Sequence, residues 1–312
     1  MNPFPCHVPV RGEELCDRED ALEAVLGAAR EGRPLAVASL PGAGVSSVAR
    51  EASARLAAQG LEPIPVSLVT VADGADLEAR LAAALGAAPG RPPARRLVVD
   101  DADRLVGAGE DREIREVIAR ASGGSGPLLF GHDGPALLGL LDGADGDALL
   151  EIGPLPFAAW LPYALERFLE TDVWVSNDQV EGAHRLVGGH PRHLQDLFHE
   201  IWNLAGGRGG RVEDAMLAEA LERVLGRRAR EWRAVWDGLT GNQRRFLGGV
   251  ARAGTEPHPF SSASLERSGL TSASSAQRAA SALEGRGLLG RTDAGALRLT
   301  DPLFGRWLAS EP

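Results

Sequence analysis

From about residue 33 to 152 the chain alternates short apolar runs with stretches whose apolar residues recur every three or four positions. That alternation predicts a parallel sheet covered by helices. PLAVASL (34–40), IPVSLVTV (64–71), RRLVVDDAD (95–103), GPLLFGH (126–132) and ALLEIGPL (148–155) read as five strands. VSSVAREASARLAA (45–58) places Val48, Ala52 and Leu56 at helical spacing, and DREIREVIARA (111–121) is a second clear helix. GAAPGRPPA (86–94) is a surface connection into the third strand. Beyond residue 154 the pattern becomes wholly helical, with predicted helices in FAAWLPYALERFLE, NDQVEGAHRLVG, HPRHLQDLFHEIWNLA and EDAMLAEALERVLGRRAREW. The GGRGG break (206–210) separates the last two. After residue 238 come three further helices and two strands joined by a D-A-G turn, the winged form of helix-turn-helix. The expected division is an α/β core at 1–153, a helical segment at 154–235 and a winged helix at 236–312.

Chemistry concentrates where the first strand runs into its helix. There SLPGAGVSS (39–47) has the frame of a phosphate-binding loop, G-x-x-x-x-G-K-[ST], with Ser39 in place of the first glycine and Val45 in place of the lysine. Gly42 and Gly44 allow close backbone approach, and the N–H groups at the helix start can meet phosphate oxygens. Ser46 keeps the magnesium-side hydroxyl. Taken alone, the segment is equally an ordinary tight strand-to-helix turn. The third strand adds weight, because LVVDD (97–101) ends in two carboxylates, the arrangement that holds Mg²⁺ through Asp100 and polarises water through the next acid. As a solvated strand end with helix-capping aspartates, DDAD has an ordinary reading too.

Charge and composition sharpen the question. All 33 basic residues are arginine, so no lysine elsewhere can stand in for the missing one. The net charge of −10 speaks against a general nucleic-acid coat. Residues 239–312 carry nine arginines against six acids, a net of +3, which leaves −13 on the remainder. The candidate recognition helix at 274–286 offers Gln277, Arg278 and Arg286, and Arg244, Arg245, Arg252 and Arg267 are expected along one face. Weak DNA binding at low salt therefore stays open. No apolar run reaches the roughly 18–20 residues that span a bilayer, and the start lacks the pattern of a secretory signal. Two cysteines, Cys6 and Cys16, fit a cytoplasmic chain with free thiols.

Taken in order, NPF (2–4), DRED (17–20), SLPGAGVSS, LVVDDAD, GPLP, GGHPRHLQDLFHEIW (188–202) and the closing DPLFGRWL resemble the prokaryotic AAA-type ATPases common in archaea, allied to the STAND and origin-recognition ATPases. The resemblance covers nearly the whole chain. It implies ATP or ADP with Mg as ligand, bound by Gly42, Ala43, Gly44, Val45, Ser46 and Ser47. Asp17 and Arg18 would lie beside the adenine, in the place of a Gly-Arg-Glu motif. Ser46 and Asp100 would face the metal, Asp101 would take the seat of the catalytic glutamate, and His132 that of a polar sensor. Arg192 would project from the helical lid as a second sensor, although each of these last two is equally a surface residue.

Two departures bear on chemistry. The family has Gly-Lys-Thr where this chain has Gly44-Val45-Ser46, which removes charge where phosphoryl transfer concentrates it. It has glutamate where this chain has Asp101, and a water displaced by ~1 Å can cost ~100-fold in rate. The expectation is a nucleotide-binding module with weak or absent hydrolysis, a scaffold or switch in a protein assembly or homo-oligomer. A slow ATPase and a winged-helix DNA-binding regulator are the alternatives.

Overall fold

Alternating side chains of one central strand, β1 (Leu35–Ser39), build two apolar layers. Leu35 and Val37 face a cluster formed with α1 (Glu19–Glu31) and α2 (Val45–Ala58), including Leu22, Val25, Val48 and Leu56. Ala36 and Ala38 face the opposite cluster with Leu97, Val99, Leu129, Ile114 and Ile118. All five β1 residues are buried, as a strand with helices on both faces requires. Around it lie β2 (Glu62–Ser67), β3 (Arg95–Asp100), β4 (Leu128–Gly131) and β5 (Leu149–Ile152), in the order β2-β3-β4-β1-β5 and parallel throughout. The helices α3 (Gly74–Ala87), α4 (Asp111–Ser122) and α5 (Gly134–Gly139) complete the connections.

This computed structural model describes residues 1–6, 8–68, 74–87, 95–105, 111–141, 143–292 and 294–310. The expected second strand, 64–71, begins at Glu62 and ends at Ser67, with 69–71 outside the described residues. It is an edge strand, which is why Pro63 and Pro65 are tolerated in it. The third strand ends at Asp100, and 102–105 tighten into a 3₁₀ turn. Of the expected surface connection at 86–94, positions 86 and 87 close α3 and 88–94 lie outside the described residues.

The chain forms two compact units, His7–Leu155 and Met1–Cys6 with Pro156–Pro312. In the second unit α6 (Phe157–Leu169), α7 (Asn177–Val187), α8 (Pro191–Leu204) and α9 (Asp214–Asp237) follow in series. Ser176 and Gln179 form a reciprocal cap at the start of α7. The N-terminal residues join this unit: Phe4 is fully buried against Phe168 and Phe198, and Asn2 Nδ2 donates to the His199 carbonyl at 3.0 Å. Then come α10 (Gly241–Ala253), β6 (Thr255–Glu256), α11 (Ser262–Ser268), α12 (Ala273–Gly285), β7 (Leu289–Arg291), β8 (Leu297–Leu299) and α13 (Pro302–Ser310). The three short strands pair antiparallel in the order β6-β8-β7. Among the described residues no helix is long and apolar enough to cross a membrane.

Candidate phosphate-loop site

The C-terminal ends of β1, β3 and β4 bring most of the expected residues together. Gly42 and Gly44 take φ of +81° and +101°, the left-handed region where a side chain would be strained, and Gly44 hands the chain directly to α2. Ser46, in the first turn of α2, donates from Oγ to Asp100 Oδ1 at 3.0 Å. The Asp101 N–H donates to the same oxygen at 3.1 Å. Burial pushes the Asp100 carboxyl above its ordinary range and Asp101 adds to this, while Ser46, the Asp101 N–H and Arg50 pull the other way. Hydroxyl and carboxylate oxygens side by side are the hard donors that Mg²⁺ takes.

Val45 behaves differently. Its side chain is 4% exposed and belongs to the apolar cluster with α1 and β1. Where a P-loop lysine would extend toward phosphate, this chain has a packed core residue. Asp101 is also altered: its φ is +58° and its carboxylate accepts from Ser67 Oγ at 3.4 Å, at the end of β2.

Arg18 is buried, and its guanidinium donates to the carbonyls of Ala43 (3.2 Å), Gly153 (2.8 Å) and Asp17 (2.8 Å). It braces the loop from beneath, linking it to the end of β5, and burial draws its pKa down. Asp17 has φ +51°, so this position needs the left-handed backbone a glycine would supply in Gly-Arg-Glu. Ser47 is buried, its Oγ accepting from the Val10 N–H at 3.1 Å. One turn on, Glu51 accepts from the Gly12 N–H at 3.0 Å, so α2 holds the segment leading into α1.

His132 directly follows β4, exposed, with Nδ1 2.9 Å from the Ser39 carbonyl oxygen. Asp103 fixes this strand end by accepting the N–H groups of His132 and Asp133 at 2.7–2.8 Å. The approach is so close that a Cβ at Gly131 would stand 2.5 Å from Asp103 Oδ2. Sequence reasoning missed two residues here. Arg50 is exposed on α2 and acts on Asp100; its position four residues after Ser46 was a readable signal. Asp103 lies in the DDAD run, but its partners are 29 and 30 residues away and leave no local trace.

A family model described as "Probable winged helix domain" matches residues 230–310. No curated protein sequence matches the chain. Among solved structures, the Walker-type ATPase PABY2304 of Pyrococcus abyssi superposes with a TM-score of 0.74 at 14% identity, over 98% of this chain and 99% of that one. A point variant of RuvB from Thermotoga maritima gives 0.54 at 17%, over 100% of both chains. Cdc6p of Pyrobaculum aerophilum gives 0.53 at 14%, over 98% and 97%. The fold is that of the P-loop ATPases. At these identities the likeness concerns the fold, an AAA+-like parallel sheet followed by a helical region and a winged helix.

Arg192 belongs to the second unit, on the first turn of α8, where Nη2 lies 3.5 Å from Glu231 Oε2. Nearby, fully buried His193 contacts Asp301 Oδ1 through Nε2 at 2.6 Å and accepts from Arg228 Nη1 at 3.1 Å through Nδ1. Of the arginines expected along one winged-helix face, Arg244 donates to the Trp236 and Asp237 carbonyls, Arg252 to that of Arg267, and Arg267 pairs with Glu256. Arg286 donates to the Gly238 carbonyl. Those four stitch the domain together; Arg245 and Arg278 stay exposed.

Proposed function

We propose that this chain is a P-loop ATPase relative that binds ATP or ADP with Mg but turns it over weakly or not at all, serving as a switch or scaffold within a protein assembly. One observation carries the reading. Ser46 and Asp100, the two residues that would face the metal, stand hydrogen-bonded at 3.0 Å, while Val45, at the position that would supply phosphate charge, is packed into the core. The fit to Mg²⁺ rests on those two oxygen donors, which would hold it, and the ion would supply charge neutralisation at the phosphates. The N–H groups of loop residues 42–47 would cradle the phosphates, and Asp17 and Arg18 would border the base. Asp101, in the seat of the water-polarising acid, is turned toward Ser67, which favours binding over turnover.

In this reading residues 154–235 act as the lid and 236–312 as the winged helix, Arg192 reports on the phosphates, and the setting is cytoplasmic. The partner is another protein or a second copy of the chain. The test is a titration of purified protein with labelled ATP, followed by steady-state phosphate release. Binding without release is expected. Release above that of a Ser46→Ala, Asp100→Ala control would overturn the weak-hydrolysis reading and favour a slow ATPase.

A DNA-binding regulator is the second reading, and one feature of α12 favours it. Ser274, Gln277, Arg278 and Ser281 are exposed at the i, i+3, i+4 and i+7 positions of one helical face.

A further inference from the structure

Gln179, in the first turn of α7, reaches the start of α9 and commits its whole amide there. Its Nε2 donates to the Val212 carbonyl at 3.2 Å and to Asp214 Oδ1 at 2.8 Å, while Oε1 accepts from the Ser176 N–H at 3.0 Å. Beside this bridge lies a cavity of about 280 Å³. Its apolar lining is Phe198, Ile201 and Val212, all buried, with half-buried Val175 and Leu217. Exposed Asp178, Glu213 and Asp214 complete it. The arginines nearest in sequence are engaged elsewhere: Arg185 with Glu181, Arg208 with Asp172, Arg211 over the Trp174 ring and Arg223 with Glu219. Among the described residues no arginine forms an ion pair with Asp178, Glu213 or Asp214. Helix N-termini account for acids at Asp178 and Asp214, because the helix dipole favours negative charge there. They do not account for the apolar surface sunk between them.

We infer that this groove docks a segment of a protein partner that presents an arginine or lysine beside an apolar residue. With the Gln179 amide used up, the side-chain oxygens left at the groove are carboxylate acceptors, so its occupant has to donate hydrogen bonds and carry positive charge. The apolar lining asks the same occupant for apolar surface. The volume sets its size: sites that enclose a whole small molecule run to roughly 300–1,000 Å³, and this one is smaller, matching an anchoring side chain with its neighbour. Charge also separates the candidate occupants. A second copy brings the same net −10 and is repelled at long range, whereas a basic segment is drawn in. The inference gives the protein partner of the proposed function a place and a chemistry, and it rests on that reading only in expecting such a partner.

The test is selection of a random-peptide library on the full chain, with the Asp178→Asn, Glu213→Gln protein for counter-selection. Both changes keep the side-chain shape and remove the charge. Enriched peptides are expected to carry Arg or Lys next to an apolar residue. The best of them, labelled and followed by fluorescence anisotropy, should bind the double variant about tenfold more weakly. Its binding to the parent should weaken between about 0.05 M and about 0.5 M salt. Replacing the peptide's own basic residue with glutamine should give the same loss without touching the protein, and Val175→Arg, which plants a guanidinium in the groove, should block binding. Enriched peptides without a basic residue, equal binding to parent and double variant, or no enrichment at all would overturn the inference. So would dimers of the parent in sedimentation equilibrium that the double variant dissolves, which would give the groove to a second copy. ATP titration of the parent reads the phosphate loop separately. A failed selection with ATP bound removes the groove alone, and a successful selection without ATP binding removes the nucleotide reading alone.

Discussion

Replacing Asp301 with alanine tests how α13 is held to the helices before it. The Asp301 carboxylate accepts the N–H groups of Leu303 and Phe304, both at 2.9 Å, which caps α13; losing such a cap costs about 1 kcal/mol. It also accepts from His193 Nε2 at 2.6 Å and from Trp232 Nε1 at 3.3 Å. Since Arg228 only donates, His193 Nδ1 must accept and Nε2 carries the hydrogen. A hydrogen bond to a charged group is worth roughly 1.5–3 kcal/mol. Arg228, 6% exposed and 3.8 Å from Asp301, would keep Glu231 as its remaining ion pair. Cap and His193 hydrogen bond together come to about 2.5–4 kcal/mol, overlapping the range for removing one partner from a buried pair. Urea unfolding followed by tryptophan fluorescence reads it cleanly, because all six tryptophans lie in the second unit. Burial pushes the Asp301 carboxyl up, but the His193 hydrogen bond, the Phe304 N–H and Arg228 outweigh it and hold the group well below the carboxylate range. The unfolded chain therefore binds the extra proton. This contribution is fully present above about pH 4 and is lost as pH falls toward the folded-state value. The gap between parent and Asp301→Ala should narrow in acid. A loss below about 1 kcal/mol at neutral pH, or a gap unchanged down to about pH 3, would refute the reasoning.

Other positions give shorter tests. Val45→Lys forces an ammonium into an apolar cluster, so it should lower the thermal midpoint of the first unit; paired with Asp101→Glu it should raise ATP affinity before any turnover, read by titration and phosphate release. Arg192→Ala should weaken ATP binding while changing stability by less than about 0.5 kcal/mol, because its pairing with Glu231 is half-exposed; equal affinities would take Arg192 out of the site. In an electrophoretic shift with random duplex at about 0.15 M salt, tight binding is not expected, since each phosphate contact adds only roughly 0.9 to the salt slope and four of the expected arginines are held within the domain. Tight binding abolished by Arg278→Ala would promote the DNA-regulator reading.

Legibility followed the range of the interactions. Helix α2 is readable to the residue at 45–58 because a glycine-rich turn starts it and apolar spacing carries it. The five parallel strands announce themselves as apolar runs for the same local reason. Two-residue β6 is too short to make a pattern and exists only because β8 pairs with it. The NPF segment is visible as a motif, but its anchoring by Phe168, Phe198 and His199 joins positions more than 160 residues apart. His193 and Asp301, 108 apart, are equally silent in sequence, and so is the grip of Asp103 on the end of β4.

The loop itself shows why a motif match and a site are different statements. Spacing alone pairs Ser46 with Asp100, because strand-loop-helix geometry fixes where those two side chains meet. The same spacing leaves the meaning of Val45 open: a missing charge, or a residue with a structural role of its own. Its burial beside α1 and β1 decides for the second. An apolar side chain packed there contributes roughly 1.5–3 kcal/mol if fully buried, so the position stabilises the fold that carries the Ser46–Asp100 pair. Arg18 does the same from the other side, committing its guanidinium to three carbonyls. With Val45 packed and Arg18 tied to carbonyls, Arg50 on α2 is an exposed cation that acts on Asp100 beside the loop.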